Sequence, residues 1–319
     1  MLHGSGTWLQ GRTVTTERLL LLEGIGLLTT FMSGLVLFET GAARDIVGPT
    51  ALTAVAGVGT FGSSFLANLY ATWAPADGWG EPERSLPLLE SSLGYQYVGD
   101  PQFDYHHFVT TRLDARLRSW HLGLYAAYTP APSNQRLELL AGYRLIGPNA
   151  YGARASDGSY LEPQLGYSEH RFDSSGFLTR TLEIKAEGRL DAARILPDVS
   201  GAYFQLGAGW AKQWIVFDLP GVDAQTATSL LLAHMGFGVY LGQRAALAPS
   251  GGQIELYYDH RHDGFAGGLK LRGLGSGAAG HLGLAGHYYL SEAWGVRALA
   301  EVGSAWVLGL AALLRVGTR

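Results

Sequence analysis

The chain of 319 residues has no cysteine. Disulfide frameworks, thiolate zinc sites and cysteine nucleophiles are therefore excluded. A cysteine-free chain also suits an envelope protein that crosses an oxidising compartment unfolded. Charge is scarce too: Asp, Glu, Lys and Arg make up 16% of the residues, against about 25% in an average soluble domain. After residue 75 no segment approaches the ~20 consecutive apolar residues of a membrane helix. The net charge of −4 offers no basic stripe, and no aromatic-plus-basic pattern points to nucleic acid.

What the chain has is an alternation. In Leu178–Leu190 the odd positions Thr179, Thr181, Glu183, Lys185, Glu187 and Arg189 are polar, while Leu182, Ile184, Ala186 and Leu190 are apolar. Gln253–Arg261 repeats it, with Gln253, Glu255, Asp259 and Arg261 on one parity and Ile254, Leu256 and Tyr258 on the other. A period of two puts these sets on opposite faces of a strand. One face then carries charges of both signs, and the other is apolar and aromatic.

The first 76 residues differ in kind. Leu19–Phe38 and Ile46–Ala74 are apolar or small-residue stretches joined at Gly41–Asp45. They read as a helical hairpin, with Thr15 or Thr16 as N-cap and Glu17 in the first turn. Gly59, Ser63 and Ala67 are spaced for close helix–helix contact. Two other readings compete: a pair of inner-membrane spans, or an export signal with Ala51–Tyr70 as its apolar core and Ala74-Pro75-Ala76 as its cleavage site. Residues 77–87 (DGWGEPERSLP) form a linker, and residues 88–319 form the second unit.

Within that unit thirteen strand candidates lie near 88–98, 104–118, 120–129, 135–146, 160–171, 177–190, 201–216, 228–242, 252–261, 265–273, 279–290, 293–303 and 305–316. The shortest, 265–273, could be loop, and an even number favours 12, with 10 or 14 as alternatives. Parity turns Trp120, Leu122, Leu124, Ala126 and Tyr128 outward, with Leu137, Leu139, Ala141 and Tyr143. Tyr97, Tyr128, Trp210, Trp294 and Trp306 fall near strand ends, as interfacial aromatics do. Facing inward are Arg112, Asp114 and Arg116, then Arg136, Glu138 and Arg144. Glu183, Lys185, Glu187 and Arg189 follow, then Glu255, Arg297 and Glu301. Signs nearly balance, so this lining can pair internally.

The pattern of residues 88–316 resembles bacterial outer-membrane β-barrel proteins as a class, without pointing to one family. The resemblance implies an all-β, antiparallel transmembrane β-barrel in the outer membrane of a Gram-negative bacterium, with the lipid bilayer as its partner. Such proteins commonly end on an aromatic residue; here Gly317-Thr318-Arg319 follows the last strand. A soluble β-sandwich would also alternate, though with a more charged exterior and strands of about 5–6 residues.

One segment concentrates reactive side chains, Tyr257–Asp263. His260 and His262 share one parity and Asp259 and Asp263 the other, an arrangement open to metal binding or general acid–base work. No third metal ligand is identifiable, and a polar strand end is the simpler reading. His106-His107 splits across two faces, while His234, His281 and His287 read as interior residues. No Gly-x-Ser-x-Gly elbow occurs, and Gly273-Leu274-Gly275-Ser276-Gly277 lacks a strand–helix context. The expectation is a narrow, porin-like channel or structural barrel with a charge-lined, partly occluded lumen, no cofactor, and a small solute as its cargo. Two alternatives remain: an outer-membrane enzyme acting on lipid or an extracellular substrate, and a scaffold docking an envelope protein through residues 1–76.

Overall fold

In the computed structural model, residues 5–41, 44–83, 86–101, 106–129, 134–150, 157–172, 177–217, 225–242, 251–261, 264–266 and 280–317 are described. The strands are β1 (Leu89–Gly99), β2 (His107–Leu117), β3 (Trp120–Tyr128), β4 (Gln135–Tyr143), β5 (Tyr160–Phe172) and β6 (Phe177–Asp191). They continue with β7 (Ala202–Phe217), β8 (Gln225–Gly242), β9 (Gly251–Asp259), β10 (His281–Tyr289), β11 (Trp294–Val302) and β12 (Trp306–Val316). Each pairs antiparallel with its sequence neighbours, and β12 closes on β1 from Leu89↔Val316 to Gly99↔Trp306. Closure leaves no strand edge, and no unpaired backbone row facing hydrocarbon.

Twelve of the thirteen expected segments are these strands. Of the remaining one, 265–273, which could be loop, Phe265 and Ala266 form a turn, and residues 267–273 lie outside the described residues. Phe265 is drawn to the interior by other rings, as shown below.

We call the end carrying the start of β1 and the end of β12 the near rim, and the opposite end the far rim. Leu93, Leu310 and Ile184 are 61–65% exposed on the outer wall, where exposed leucines on a soluble protein would be costly. Trp120 and Tyr143 meet edge-on at 5.1 Å on the near rim, and Tyr97 lies 4.8 Å from Trp306 on the far rim. Trp210 is in the middle of β7 rather than at its end. Strands β5–β8 run 13–18 residues, longer than the 9–11 that cross hydrocarbon. Lys212 and the exposed Arg180 follow Trp210 toward the far rim, so the ring marks where the apolar belt stops.

The N-terminal segment folds as α1 (Ser5–Leu9), α2 (Thr13–Glu39) and α3 (Arg44–Trp73). The long helices cross where Gly26 and Gly57 let backbones touch; a Cβ on Gly26 would sit 2.7 Å from the Phe61 nitrogen. The expected small-residue row has another partner: a Cβ on Gly59 would meet Met235 on the outer face of β8. Ala67, Tyr70 and Ala71 share one buried cluster with Phe237, Val239, Leu196 and Val199. Thr15 and Thr16 do not cap α2, which starts at Thr13 behind an Arg12 that makes no side-chain cap. Instead Thr15 donates to Asp198 Oδ2 at 2.5 Å, and Thr16 to the Arg12 carbonyl at 3.0 Å. Thr15 thus donates to a carboxylate of the β6–β7 connection, where an N-cap oxygen would have accepted from a backbone N–H.

From α3 the linker crosses the near rim. Tyr70 donates to the Ser200 carbonyl at 2.7 Å, and Gly242 N–H to the Trp79 carbonyl at 3.2 Å. Gly80 lies against Leu241, whose backbone would be 2.6 Å from a Cβ there, so the close approach needs glycine. Glu83 reaches Arg315 of β12 at 2.5 Å. Leu86 N–H donates to the Asn149 carbonyl, and Arg116 N–H to that of Leu88. Since β8 is five strands from β1 around the ring, this strap spans the mouth.

Candidate functional site in the barrel lumen

Inward side chains come from one parity of every strand, and most are long. Glycines opposite them make room. A Cβ on Gly166 would lie 2.5 Å from the Glu183 side chain, one on Gly236 2.2 Å from Glu255, and one on Gly238 2.1 Å from the Tyr203 ring. Each glycine lets its cross-strand neighbour lie flat along the wall. Part of the count of 45 glycines therefore follows from packing large polar groups inside a narrow ring.

These groups form linked chains. Arg112 Nε donates to Asp114 at 2.9 Å, and Asp114 accepts from His121 at 3.1 Å. The other His121 nitrogen faces Glu162 at 2.9 Å, so one imidazole bridges the two carboxylates. Glu162 also accepts from Arg144 at 2.7 Å and Gln164 at 2.8 Å. Arg144 stacks 3.9 Å over Tyr160, whose hydroxyl donates to Glu187 at 2.7 Å. A second histidine, His234, bridges Glu255 at 3.1 Å and Asp259 at 3.4 Å. Glu255 further accepts from Tyr203 at 3.0 Å, and Arg189 covers that ring at 3.9 Å.

The remaining sequence-predicted residues pair as follows. Arg136 donates to Glu138 at 2.6 Å, and Lys185 lies 3.6 Å from Glu187 and 4.0 Å from Glu183. Glu183 takes Arg261 as its close partner. Arg189 donates to Gln253 and Gln205 at 2.7 and 2.8 Å. Arg297 meets Glu90 at 2.9 Å, and Glu301 accepts from Tyr257 at 2.6 Å. Arg116 differs: among the described residues its Nε and Nη1 are buried without a hydrogen bond.

Glu90, His121, Glu162 and Tyr203 were not singled out from sequence, and Tyr257 only as part of the reactive cluster. The same parity could have found them, since each lies an even step from an inward charge on its own strand or faces one across a pair, as His121 faces Arg116 and Tyr203 faces Asp191. The reactive cluster at 257–263 is divided by its strand. Asp259 points inward to His234, while His260 lies within 2.8 Å of the Tyr258 hydroxyl on the other face. His262 and Asp263 lie outside the described residues. Among the described residues no three potential metal ligands converge.

Among the described residues the lumen holds a cavity of 370 Å³ toward the far rim and one of 530 Å³ toward the near rim. Arg112, Glu187, His234, Tyr257, Arg297 and Glu301 border both. Glu81, Pro82, Glu83, Leu86 and Pro87 of the strap line the near cavity. Beyond the far cavity the interior turns apolar. Val98, Phe108, Ala127, Phe172, Ile215 and Val307 come from six strands and join Phe265 and Ala266 in one buried cluster. Phe265 lies 4.8 Å from Phe108 and 5.1 Å from His170, and Ser304 N–H donates to the Ala266 carbonyl. Residues from so many strands touch only because this turn fills the middle.

A closed antiparallel ring with a greasy exterior, aromatic borders and a polar interior is the architecture of outer-membrane β-barrels. No protein-family model and no curated protein matches the sequence. Among solved structures the chain is similar to the translocator domain of the autotransporter NalP from Neisseria meningitidis, at 11% identity and TM-score 0.41, over 71% of this chain and 88% of that one. It is similar to the KdgM porin in complex with disordered oligogalacturonate, at 8% identity and TM-score 0.40, over 70% and 98%. It is also similar to Omp33 of Acinetobacter baumannii, at 12% identity and TM-score 0.35, over 72% and 98%.

Proposed function

We propose that this barrel is an outer-membrane channel of low conductance for small polar solutes, with a lumen cross-linked by its own charges and restricted at both ends. The observation that carries the reading is the pair of lumenal cavities lined by ion pairs, between the linker strap and the Phe265 layer. Twelve strands fall between the eight whose interior is filled by side chains and the sixteen that leave an aqueous channel. Space of this size passes ions and small molecules through gaps between paired side chains. Because both signs line the waist, the channel discriminates weakly between anions and cations.

Purified full-length protein in a planar bilayer tests this. Discrete small steps are expected, with selectivity displaced toward cations in Arg112→Gln and toward anions in Glu301→Gln. A tight, silent bilayer, while the protein still shows barrel-type heat-modifiable gel migration, overturns the channel reading and leaves a structural barrel.

A further inference from the structure

One sector of the outer wall is not open. On β8 the outward residues Ala233, Met235, Phe237 and Val239 are 5–9% exposed, although equivalent positions elsewhere on the ring are largely bare. Helix α3 covers them, and α2 lies on α3. The hairpin then presents a bare apolar face of its own: Leu21, Leu28, Phe31 and Phe38 are 62–82% exposed. Between Glu23 and Glu39 helix α2 has no charged residue, and neither has α3 after Asp45. Helices of 27 and 30 residues are roughly 40–45 Å long, the depth of a bilayer with its headgroups.

We propose that α2 and α3 lie in the same bilayer as the barrel, as a transmembrane helical hairpin seated on the β7–β8 wall, with acyl chains covering the exposed face. The occupant follows from continuity. The hairpin replaces a patch of the barrel's apolar belt with another apolar surface, bordered by that belt. A water-facing hairpin would expose this surface while lying against a wall that lipid surrounds. Apart from the helix ends and Pro49 near the start of α3, backbone groups within helices are internally bonded, so hydrocarbon tolerates them. A polar interlock at the near rim fixes the docking: Arg12 donates to the Ala71 carbonyl at 2.8 Å and Arg18 to that of Ile195 at 2.7 Å. The inference rests on the barrel being in a membrane, and extends that reading from strands to helices. It also requires that residues 5–73 stay on the mature chain, since cleavage after Ala76 would strip β8 of its cover.

The absence of cysteine makes the test direct. Phe31→Cys and Leu28→Cys are made one at a time in the full chain, with Leu310→Cys on the barrel belt and Ala76→Cys in the exposed linker as references. Each is reconstituted in lipid nanodiscs, whose two faces are both accessible. Fluorophores at 31 and 28 are expected to be quenched by nitroxide-bearing acyl chains as at 310, and the thiols to react with a water-soluble maleimide about tenfold more slowly than at 76, because the bilayer core excludes water. Reaction at the rate of residue 76 overturns the proposal. Protection from both reagents overturns it as well, showing a second copy or another protein on this face. A Leu310 label that is not quenched removes the membrane reading of the barrel itself, and the inference with it. Intact mass of protein extracted from membranes should include residues 5–73; a mature chain beginning after Ala76 is incompatible with the proposal.

Discussion

At the residue scale the lumen shows how burial decides the weight of a charge. Glu162 is almost completely buried and carries three partners, Arg144, His121 and Gln164. Replacing it by Gln leaves a guanidinium and an imidazole without their carboxylate. Removing one member of a buried pair costs about 3–5 kcal/mol. Glu169 also pairs with an arginine, Arg180, but the two side chains are 27% and 49% exposed, and water can take over; Glu169→Gln should cost less than about 1 kcal/mol. Thermal unfolding in detergent should therefore fall markedly for Glu162→Gln and little for Glu169→Gln. Equal shifts would mean that the lumen is wet enough to level the two sites. The inward charges Arg112 through Glu301 were legible because a strand repeats every two residues and their parity is unbroken. His121 and Glu162 were less visible: His121 stands between Trp120 and Leu122 and Glu162 between Leu161 and Pro163, and the weight of each comes chiefly from partner strands.

At the element scale, strand positions follow the alternation to within a few residues, and the hairpin follows its two apolar stretches. What sequence did not reveal is which face each helix turns to what. Gly59 and Ala67 have the spacing of a helix–helix stripe, yet Gly59 receives Met235 from β8, while Gly26 and Gly57, 31 positions apart in the chain, make the helix crossing. Small residues permit close approach without naming the partner. The two contacts should respond differently to a methyl group. Gly26→Ala and Gly57→Ala press on backbone atoms that cannot move aside, at 2.7 Å in each case, and should loosen the hairpin by about 1–3 kcal/mol. Gly59→Ala meets chiefly the thioether end of Met235, which can change rotamer. Limited proteolysis within residues 13–73 should accelerate in the first two variants and hardly in the third, with barrel heat-modifiability unchanged in all. Faster cleavage in Gly59→Ala alone would reverse the assignment of the two contacts.

At the scale of the whole molecule, the proposed channel has its two restrictions at opposite ends of one path. The candidate segment that could be strand or loop is the source of one of them: an apolar turn at 265–266 looks like the start of a strand, and only the ring of Val98, Phe108, Phe172 and Val307 around it shows why it folds inward. The strap is the other, and its Pro, Gly and charge content reads only as a linker until β8 and β1 are seen on far sides of the ring. Barriers in series limit current by their sum, so opening either one leaves the other in control. Phe265→Ala removes the ring that fills the apolar layer, and Arg315→Ala frees Glu83 of the strap while also uncovering the Tyr289 ring beneath that guanidinium, 3.7 Å away. Each single variant should raise single-channel conductance modestly, and the double variant by more than both increments together. If Phe265→Ala alone reaches the level of the double variant, the strap is no barrier and the far-rim layer governs flow. If neither single nor double variant changes the steps, the resistance lies at the waist of Arg112, Glu187, His234 and Arg297, which borders both cavities and whose crossed charges would then form the narrowest passage.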